Sequence, residues 1–155
     1  MDEYNTALSL STEQEFTFFK FKQFIINQDR CGMKVSTDAV VLGALAGRKS
    51  PRSIFDVGMG TGVISLMLAQ RFEMANIVGV EIDDDAFGQA LENIQESKFA
   101  EKVTAVHSDF QTYSENSVQQ FDMVISNPPY FPDHIKTKDA QRNKALHNDG
   151  LSFTE

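Results

Sequence analysis

The feature that most constrains the fold is a glycine-rich loop that follows a short apolar run. Residues 53–57 read SIFDV, a pattern typical of a buried strand, and glycines then occupy every second position at Gly58, Gly60 and Gly62. Helical spacing of apolar residues follows directly over 61–72. Because glycine allows a sharp turn and a close approach of backbone to ligand, we predict a strand, a binding loop and a helix in that order.

The remainder of the chain alternates between strand and helix patterns. The predicted elements are helices at 39–46 and 84–97 and strands at 77–81, 103–107 and 122–126. This alternation indicates an α/β fold of the Rossmann-like kind, with a doubly wound and mainly parallel sheet. Such sheets bind ligands at the carboxyl ends of their strands, where the glycine-rich loop begins.

Three other stretches carry weaker patterns. Polar residues 1–15 are expected to form a flexible leader, and aromatic and β-branched residues over 16–26 predict one or two short strands. Residues 111–120 are polar and lack a period, so we expect an irregular connection there. A chain of 155 residues with 41% hydrophobic composition can bury one core, so residues 16–155 are assigned to a single domain.

Composition narrows the classes of function. The chain has no long apolar run and no signal-like N-terminus, so we expect a cytoplasmic protein without membrane contact. Cys31 is the single cysteine, and no Cys/His spacing resembles a zinc site, so we expect no disulfide and no metal. A net charge of −8 argues against indiscriminate binding of nucleic acid.

Two segments are nevertheless locally basic. They lie within 16–35 and 131–147, and their basic residues are Lys20, Lys22, Arg30, Lys34, Lys136, Lys138, Arg142 and Lys144. Solvated surface charge is the simpler interpretation of the first segment. The second directly follows a candidate catalytic motif, where it is placed to hold phosphates beside a nucleic-acid base.

Acidic residues after the strands complete a predicted pocket for an adenosine. Glu81 closes a strand 19 residues after Gly62, where a carboxylate can accept hydrogen bonds from ribose hydroxyls, and Asp109 is placed to accept from the adenine amine. A dinucleotide-binding loop would need glycine at Val63. Asp56 would repel a pyrophosphate but suits the positively charged methionine end of S-adenosylmethionine, so the pattern favours that cofactor.

The last predicted strand runs into the motif Asn127, Pro128, Pro129 and Tyr130. Two prolines fix an extended backbone, which by itself would only end a strand. The Asn127 side-chain oxygen and the Pro128 carbonyl are acceptors that can hold the two hydrogens of a planar amino group, and Tyr130 can stack on its ring. We therefore interpret these four residues as catalytic, acting by positioning and electrostatics rather than as a strong base.

These motifs resemble those of class I methyltransferases with Asn-Pro-Pro-Tyr, and more closely those of the bacterial tRNA(Val) adenine-N6 methyltransferases. The close part of the match is FKQF at 21–24, DRCGMKV at 29–35 and TD at 37–38, with the glycine loop and ISNPPY at 125–130. The resemblance covers about residues 16–150. It implies methyl transfer from S-adenosylmethionine to the N6 amine of the tRNA adenine immediately 3′ of the anticodon, with RNA as the partner.

The resemblance also implies which residues surround the cofactor. Lys34, Thr37 and Asp38 are expected near its methionine end. The other expected contacts are Asp56, Gly58, Gly60, Gly62, Glu81, Ile82, Asp109, Phe110 and Asn127. The family's sheet has further strands after the four predicted here, so we expect the C-terminal part of the domain to be absent from this chain.

Other functions remain compatible with the motifs. Asn-Pro-Pro-Tyr can hold any planar amide or amine, so the target could be a glutamine amide of a release factor or the N2 of a guanine in ribosomal RNA. A non-catalytic fragment that only binds S-adenosylmethionine is the main alternative of another class. A nucleotide-dependent dehydrogenase is disfavoured by Val63 and by the proline motif.

Overall fold

The computed structural model describes residues 17–47 and 49–129. Its strands are β1 (Phe18–Lys20), β2 (Ile25–Asn27), β3 (Ser53–Val57), β4 (Asn76–Glu81), β5 (Val103–His107) and β6 (Met123–Ser126). Its helices are α1 (Thr37–Leu45), α2 (Val63–Arg71), α3 (Asp84–Gln95) and α4 (Phe110–Asn116). Strands and helices alternate from β3 onward, as the sequence predicts.

Four of the strands form one parallel sheet in the order β5-β4-β3-β6. The chain winds outward from β3 to β5 and then returns to the other side of β3 with β6. Such a reversal creates a crevice at the carboxyl ends of the two strands between which it occurs, here β3 and β6. The strands β1 and β2 form a separate antiparallel pair in which Phe18 lies opposite Asn27.

The sheet is covered on both faces. Alternate residues of the strands point to opposite sides, so Ile54 and Ile77 pack with α2 and α3 in the larger core, together with Leu66 and Ile94. Phe55 lies in a smaller core on the other face, where α4 packs. The doubly wound, parallel architecture predicted from the alternation of elements is therefore confirmed.

Local sequence explains where the helices begin. Ser36 caps α1, because its side chain accepts a hydrogen bond from the backbone N–H of Ala39 at 3.2 Å. Asp83 caps α3 in the same way through the N–H groups of Asp85 and Ala86.

One predicted segment is wrong. Residues 111–120 were expected to be irregular, but α4 occupies Phe110–Asn116, capped by Asp109. Its apolar side chains pack on the sheet, with the ring of Tyr113 stacked 5.0 Å from that of Phe55. This tertiary contact stabilises a helix whose own residues are weak helix formers.

Other expectations concern the two ends of the chain and its contact with membranes. The flexible leader at 1–15 and the second basic segment at 131–147 lie outside the described residues. Within the described ranges, none of the helices combines the length and the apolar character that crossing a bilayer requires.

Candidate functional site

A cavity of about 260 Å³ opens at the carboxyl edge of the parallel sheet. The strand register explains its position, since Val57 of β3 pairs with Val80 of β4 on one side and with Ser126 of β6 on the other. The loops that leave these strands therefore start side by side. Five backbone segments form the walls of the cavity.

The first wall is the glycine loop, residues 58–62, between β3 and α2. Gly58, Gly60 and Gly62 have φ values of 71°, 54° and 81°, in the left-handed region that side chains other than glycine's rarely adopt. The N–H groups of Gly58 and Met59 both donate to the carbonyl of Val80, at 3.0 and 2.9 Å. The glycines thus permit a turn that folds the loop back onto β4.

The second wall carries Glu81, a buried carboxylate at the end of β4. Its Oε2 accepts from the N–H of Gly60 at 2.8 Å, and its Oε1 accepts from the N–H groups of Ile82 and Asp83 at 2.9 and 3.0 Å. Each carboxylate oxygen can accept more than one hydrogen bond. Glu81 therefore fixes the glycine loop and keeps acceptor capacity for a ligand.

The third wall is the turn from β5 into α4, with Ser108, Asp109 and Phe110. Asp109 caps α4, and hydrogen bonds from the backbone and then the side chain of Thr112, both at 2.7 Å, lower the pKa of the Asp109 carboxyl. The carboxylate form is thereby favoured, which is the form that accepts hydrogen bonds.

The fourth wall is the segment that follows β6. The hydroxyl of Ser126 donates to the carbonyl of Val57 at 2.9 Å, which ties the end of β6 to the start of the glycine loop. Asn127, Pro128 and Pro129 then line the cavity. Tyr130 lies outside the described residues, so the fourth predicted catalytic residue is not placed.

The fifth wall is residues 28–36, which we call the strap because it runs from β2 across the domain to α1. Its cavity-lining part is 31–36, including Cys31 and Lys34. Burial, followed by the charges of Glu81 and Asp83, raises the pKa of the Cys31 thiol to about 12. The thiol is therefore neutral and unreactive while the strap stays closed.

Asp56 is placed behind the glycine loop rather than in the cavity wall. Its side chain is fully buried, and its Oδ2 accepts from the hydroxyl of Ser65 in α2 at 2.7 Å. Its Oδ1 is buried with no hydrogen-bond partner among the described residues. Burial, opposed by the Ser65 hydrogen bond and reinforced by the charge of Glu81, raises the Asp56 pKa to about 6.

The structure brings most of the residues singled out from the sequence to one cavity. Those that line it are Lys34, Gly58, Gly60, Glu81, Ile82, Asp109, Phe110, Asn127, Pro128 and Pro129. Gly62, the last residue of the glycine loop, and Asp56 do not line the cavity, and Thr37 is the exposed first residue of α1. Asp38 lines an adjoining open groove along α1, which it shares with Asn127.

Sequence reasoning missed part of the walls. Of the strap, only Lys34 was named, whereas Cys31, Met33 and Val35 also line the cavity. Met59 was missed as well, although it stands between two of the named glycines. The glycine spacing itself was a usable signal for Met59. The strap residues show no strand or helix pattern, but the family resemblance over 29–35 was a usable signal for them.

The charges around the cavity restrict its ligand. Glu81, Asp83 and Asp109 contribute three carboxylates, and Lys34 is the only cationic side chain among the lining residues that the structure describes. Carboxylates repel phosphates but favour hydroxyls, amines and positive charge. The parallel sheet, the glycine loop and the carboxylate of Glu81 define a Rossmann-like domain whose cavity suits a nucleoside carrying little negative charge.

Comparison with known proteins identifies the family. The chain belongs to the methyltransferase small domain family, whose model matches residues 36–148. It is 48% identical over 139 residues to a Bacteroides fragilis protein named tRNA1(Val) (adenine(37)-N6)-methyltransferase, covering 89% of this chain and 58% of that protein. A Bacteroides thetaiotaomicron protein of the same name is also 48% identical, over 88% and 57% of the two chains.

The fold is shared with a solved structure of low sequence identity. TYW2 from P. horikoshii, in complex with MeSAdo, superposes with a TM-score of 0.56 at 18% identity, covering 76% of this chain and 43% of that one. The chain thus spans a little more than half the length of the curated relatives it matches.

Proposed function

We propose that this chain carries the cofactor pocket and the amino-binding motif of a methyltransferase that uses S-adenosylmethionine to methylate the N6 amine of an adenine in tRNA. The observation that carries the proposal is the placement of Asn127 and Pro128 in the same cavity as Gly60 and Glu81. A site for a planar amino group and a site for a nucleoside therefore share one space. The names of the relatives support tRNA, and the adenine 3′ of the anticodon, as the substrate.

The cavity fits S-adenosylmethionine by its chemistry. In this proposal Glu81 accepts from the ribose hydroxyls and Asp109 from the adenine amine, and the presence of both carboxylates in the cavity wall supports these roles. Gly58 and Gly60 leave open space where a side chain would stand, because a Cβ built on either one meets no atom within 4 Å. When bound, this cofactor supplies a methyl group on a positively charged sulfur.

The role of the proline motif follows from the electronics of an adenine. The lone pair of N6 is delocalised into the ring, so the nitrogen is a poor nucleophile. The Asn127 side-chain oxygen and the Pro128 carbonyl are placed to accept the two N6 hydrogens and to orient the lone pair toward the donor. Pro128 and Pro129 keep these acceptors rigid, which limits the reorganisation needed at the moment of transfer.

An adenine within a folded tRNA must leave its stack to enter this cavity. Extrusion costs a few kcal/mol in a duplex and less in a loop, so an anticodon-loop adenine suits the site. The strap contributes Lys34 at the cavity mouth, and the basic residues at 136–144 follow the proline motif in sequence, where they can contact flanking phosphates. We also propose the cytoplasm as the compartment, because tRNA is modified there.

The proposal is tested by transfer of labelled methyl from S-adenosylmethionine to bulk tRNA. We expect Asn127→Ala to lose at least about 100-fold in transfer rate, because positioning of the reacting group is removed. The matched control is Asn76→Ala, the same replacement at the amino end of β4, on the edge of the sheet opposite the cavity, which we expect to leave transfer unchanged.

The assay includes a chain extended to the length of the relatives, and digestion of the labelled tRNA identifies the modified base. Label in N6-methyladenine next to the anticodon supports the proposal. Label that appears instead in a release factor or in ribosomal RNA overturns the tRNA assignment while keeping the methyltransferase. Cofactor binding without transfer to any of these substrates by the extended chain would favour a binding module.

A further inference from the structure

The strap and the glycine loop face each other across the cavity, and one buried side chain connects them. Asn93 of α3 is 1% exposed and does not line the cavity. Its Nδ2 donates to the carbonyl of Thr61, in the glycine loop, and to the carbonyl of Asn27, the last residue of β2 immediately before the strap, both at 2.9 Å. Its Oδ1 accepts from the N–H of Asn27 at 2.8 Å.

The Asn93 amide makes the backbone hydrogen bonds that a strand paired with Asn27 would otherwise make. It satisfies both backbone groups of Asn27, as a paired strand would, and uses its second amide hydrogen on Thr61. Replacing it would leave two backbone carbonyls and one N–H without their partner in a buried region, which is more costly than losing an exposed hydrogen bond.

Two more buried amides hold the strap further along. Gln89, 0% exposed and one turn before Asn93 on α3, accepts from the N–H of Arg30 at 3.0 Å. Gln28 accepts from the N–H of Val35 at 2.8 Å and so keeps the strap folded on itself. Arg30 also forms an ion pair with Glu92 on the exposed side of α3. The strap is therefore positioned by side chains of α3 rather than by the parallel sheet.

We infer that Asn93 is a positioning residue that sets the distance between the strap and the glycine loop and thereby the affinity of the cavity for its nucleoside cofactor. The inference rests on the proposed function for the identity of that cofactor. Asn93 itself contacts no ligand, because Thr61 and the strap residues stand between it and the cavity. It acts through the two walls that it joins.

Cys31 allows the strap to be observed directly. It is the single cysteine of the chain, it lies in the strap, and it is 6% exposed. Because so little of its side chain is exposed, reaction with a bulky thiol reagent is slow until the strap or the whole domain opens. The rate of Cys31 labelling, compared with the free energy of global unfolding, therefore separates local opening from general loss of stability.

The experiment compares three variants of the full chain with the wild type. Asn93→Ala removes the link between the walls, Gln89→Ala removes a strap contact that does not reach the glycine loop, and Ile94→Ala truncates a core side chain next to Asn93. Each variant is measured by Cys31 labelling, by denaturant unfolding and by calorimetric titration with S-adenosylhomocysteine.

We expect Asn93→Ala to speed Cys31 labelling at least about tenfold beyond what its loss of global stability explains, since one ordinary hydrogen bond shifts an opening equilibrium by roughly that factor. Gln89→Ala should speed labelling too, whereas Ile94→Ala should change it only in proportion to global stability. We also expect about tenfold weaker binding of S-adenosylhomocysteine by Asn93→Ala, and a smaller loss for Gln89→Ala.

The outcomes separate the inference from the proposed function. If the wild type does not bind S-adenosylhomocysteine, the proposed function fails. If the wild type binds and Asn93→Ala binds equally well, or labels no faster than its global stability requires, the function stands and the positioning role of Asn93 is overturned.

Discussion

The buried carboxyl of Asp56 leads to a prediction about stability and pH. Asp56 lies fully buried beneath the glycine loop, with one oxygen bonded to Ser65 and the other unpartnered among the described residues. Its pKa is raised from 3.8 to about 6, chiefly by burial. Replacing it with asparagine keeps an acceptor for the Ser65 hydroxyl but removes the titration.

The direction of this pH effect on stability depends on the protonation of Asp56 in the folded and in the unfolded chain. Between pH 3.8 and about 6 the folded Asp56 keeps a proton that the unfolded chain has released. Folding is therefore opposed increasingly as pH rises through this window. The difference of about two pKa units lowers the free energy of unfolding by roughly 3 kcal/mol above pH 6. Well below pH 3.8 this destabilisation is absent.

The assay is urea unfolding of wild type and Asp56→Asn at pH 4 and pH 7. We expect Asp56→Asn to gain about 2 kcal/mol in unfolding free energy relative to the wild type between pH 4 and pH 7. Using the difference cancels other groups that titrate in both proteins. The absolute stability of Asp56→Asn at a single pH is not decisive, because its amide also needs partners.

Asp122→Asn provides a control of opposite sign. Hydrogen bonds from the N–H groups of Arg52 and Ser53 lower the pKa of the Asp122 carboxyl, so its stabilising contribution is present above the unfolded pKa and is lost as pH falls. This loss falls mostly below pH 3.8, so replacing Asp122 should cost clearly more at pH 7 than at pH 3, and nearly the same at pH 4 as at pH 7. A difference between wild type and Asp56→Asn that stays the same at both pH values would refute the reasoning about Asp56.

Two further predictions concern the cavity walls. Glu81→Gln removes the charge of a carboxylate that accepts hydrogen bonds from three backbone N–H groups. We expect it to weaken binding of S-adenosylhomocysteine at least about tenfold in calorimetry, whereas the exposed control Glu101→Gln should bind like the wild type. Equal affinity of Glu81→Gln and wild type would show that the carboxylate does not hold the ligand. Gly79→Ala would place a Cβ 2.6 Å from the Met59 sulfur, which should lower stability by about 1–3 kcal/mol in denaturant unfolding; an unaffected midpoint would mean that Met59 can move aside.

Most of the framework could be predicted because its signals are local. The apolar run of β3, the glycine spacing after it and the serine cap of α1 each act within a few residues. Helix α4 was missed for the opposite reason. Its sequence favours no regular structure, and its stability comes from packing of Phe110 and Tyr113 on Phe55, more than 50 residues away.

The limits of prediction at the site have the same physical origin. Gly60, Glu81 and Asn127 follow strands, so parallel topology alone brings them to one edge. The orientation of Asp56 could not be read from its strand, because β3 is buried on both faces and shows no alternation between apolar and polar residues. The strap carries no strand or helix pattern, and its position depends on Gln89 and Asn93 in a distant helix.

The register between β3 and β6 also has a consequence for biosynthesis. The hydroxyl of Ser126 and the carbonyl of Val57 bond across 69 positions of sequence, so this contact closes late in the growing chain. During translation β3, β4 and β5 can assemble first, with one edge of β3 still exposed and the amino-binding motif still inside the ribosome. A nascent chain at that stage already contains every residue of the glycine loop and Glu81 at the end of β4, whereas the wall formed by Asn127, Pro128 and Pro129 is still missing. The walls of the cavity are thus completed in an order fixed by the sheet topology.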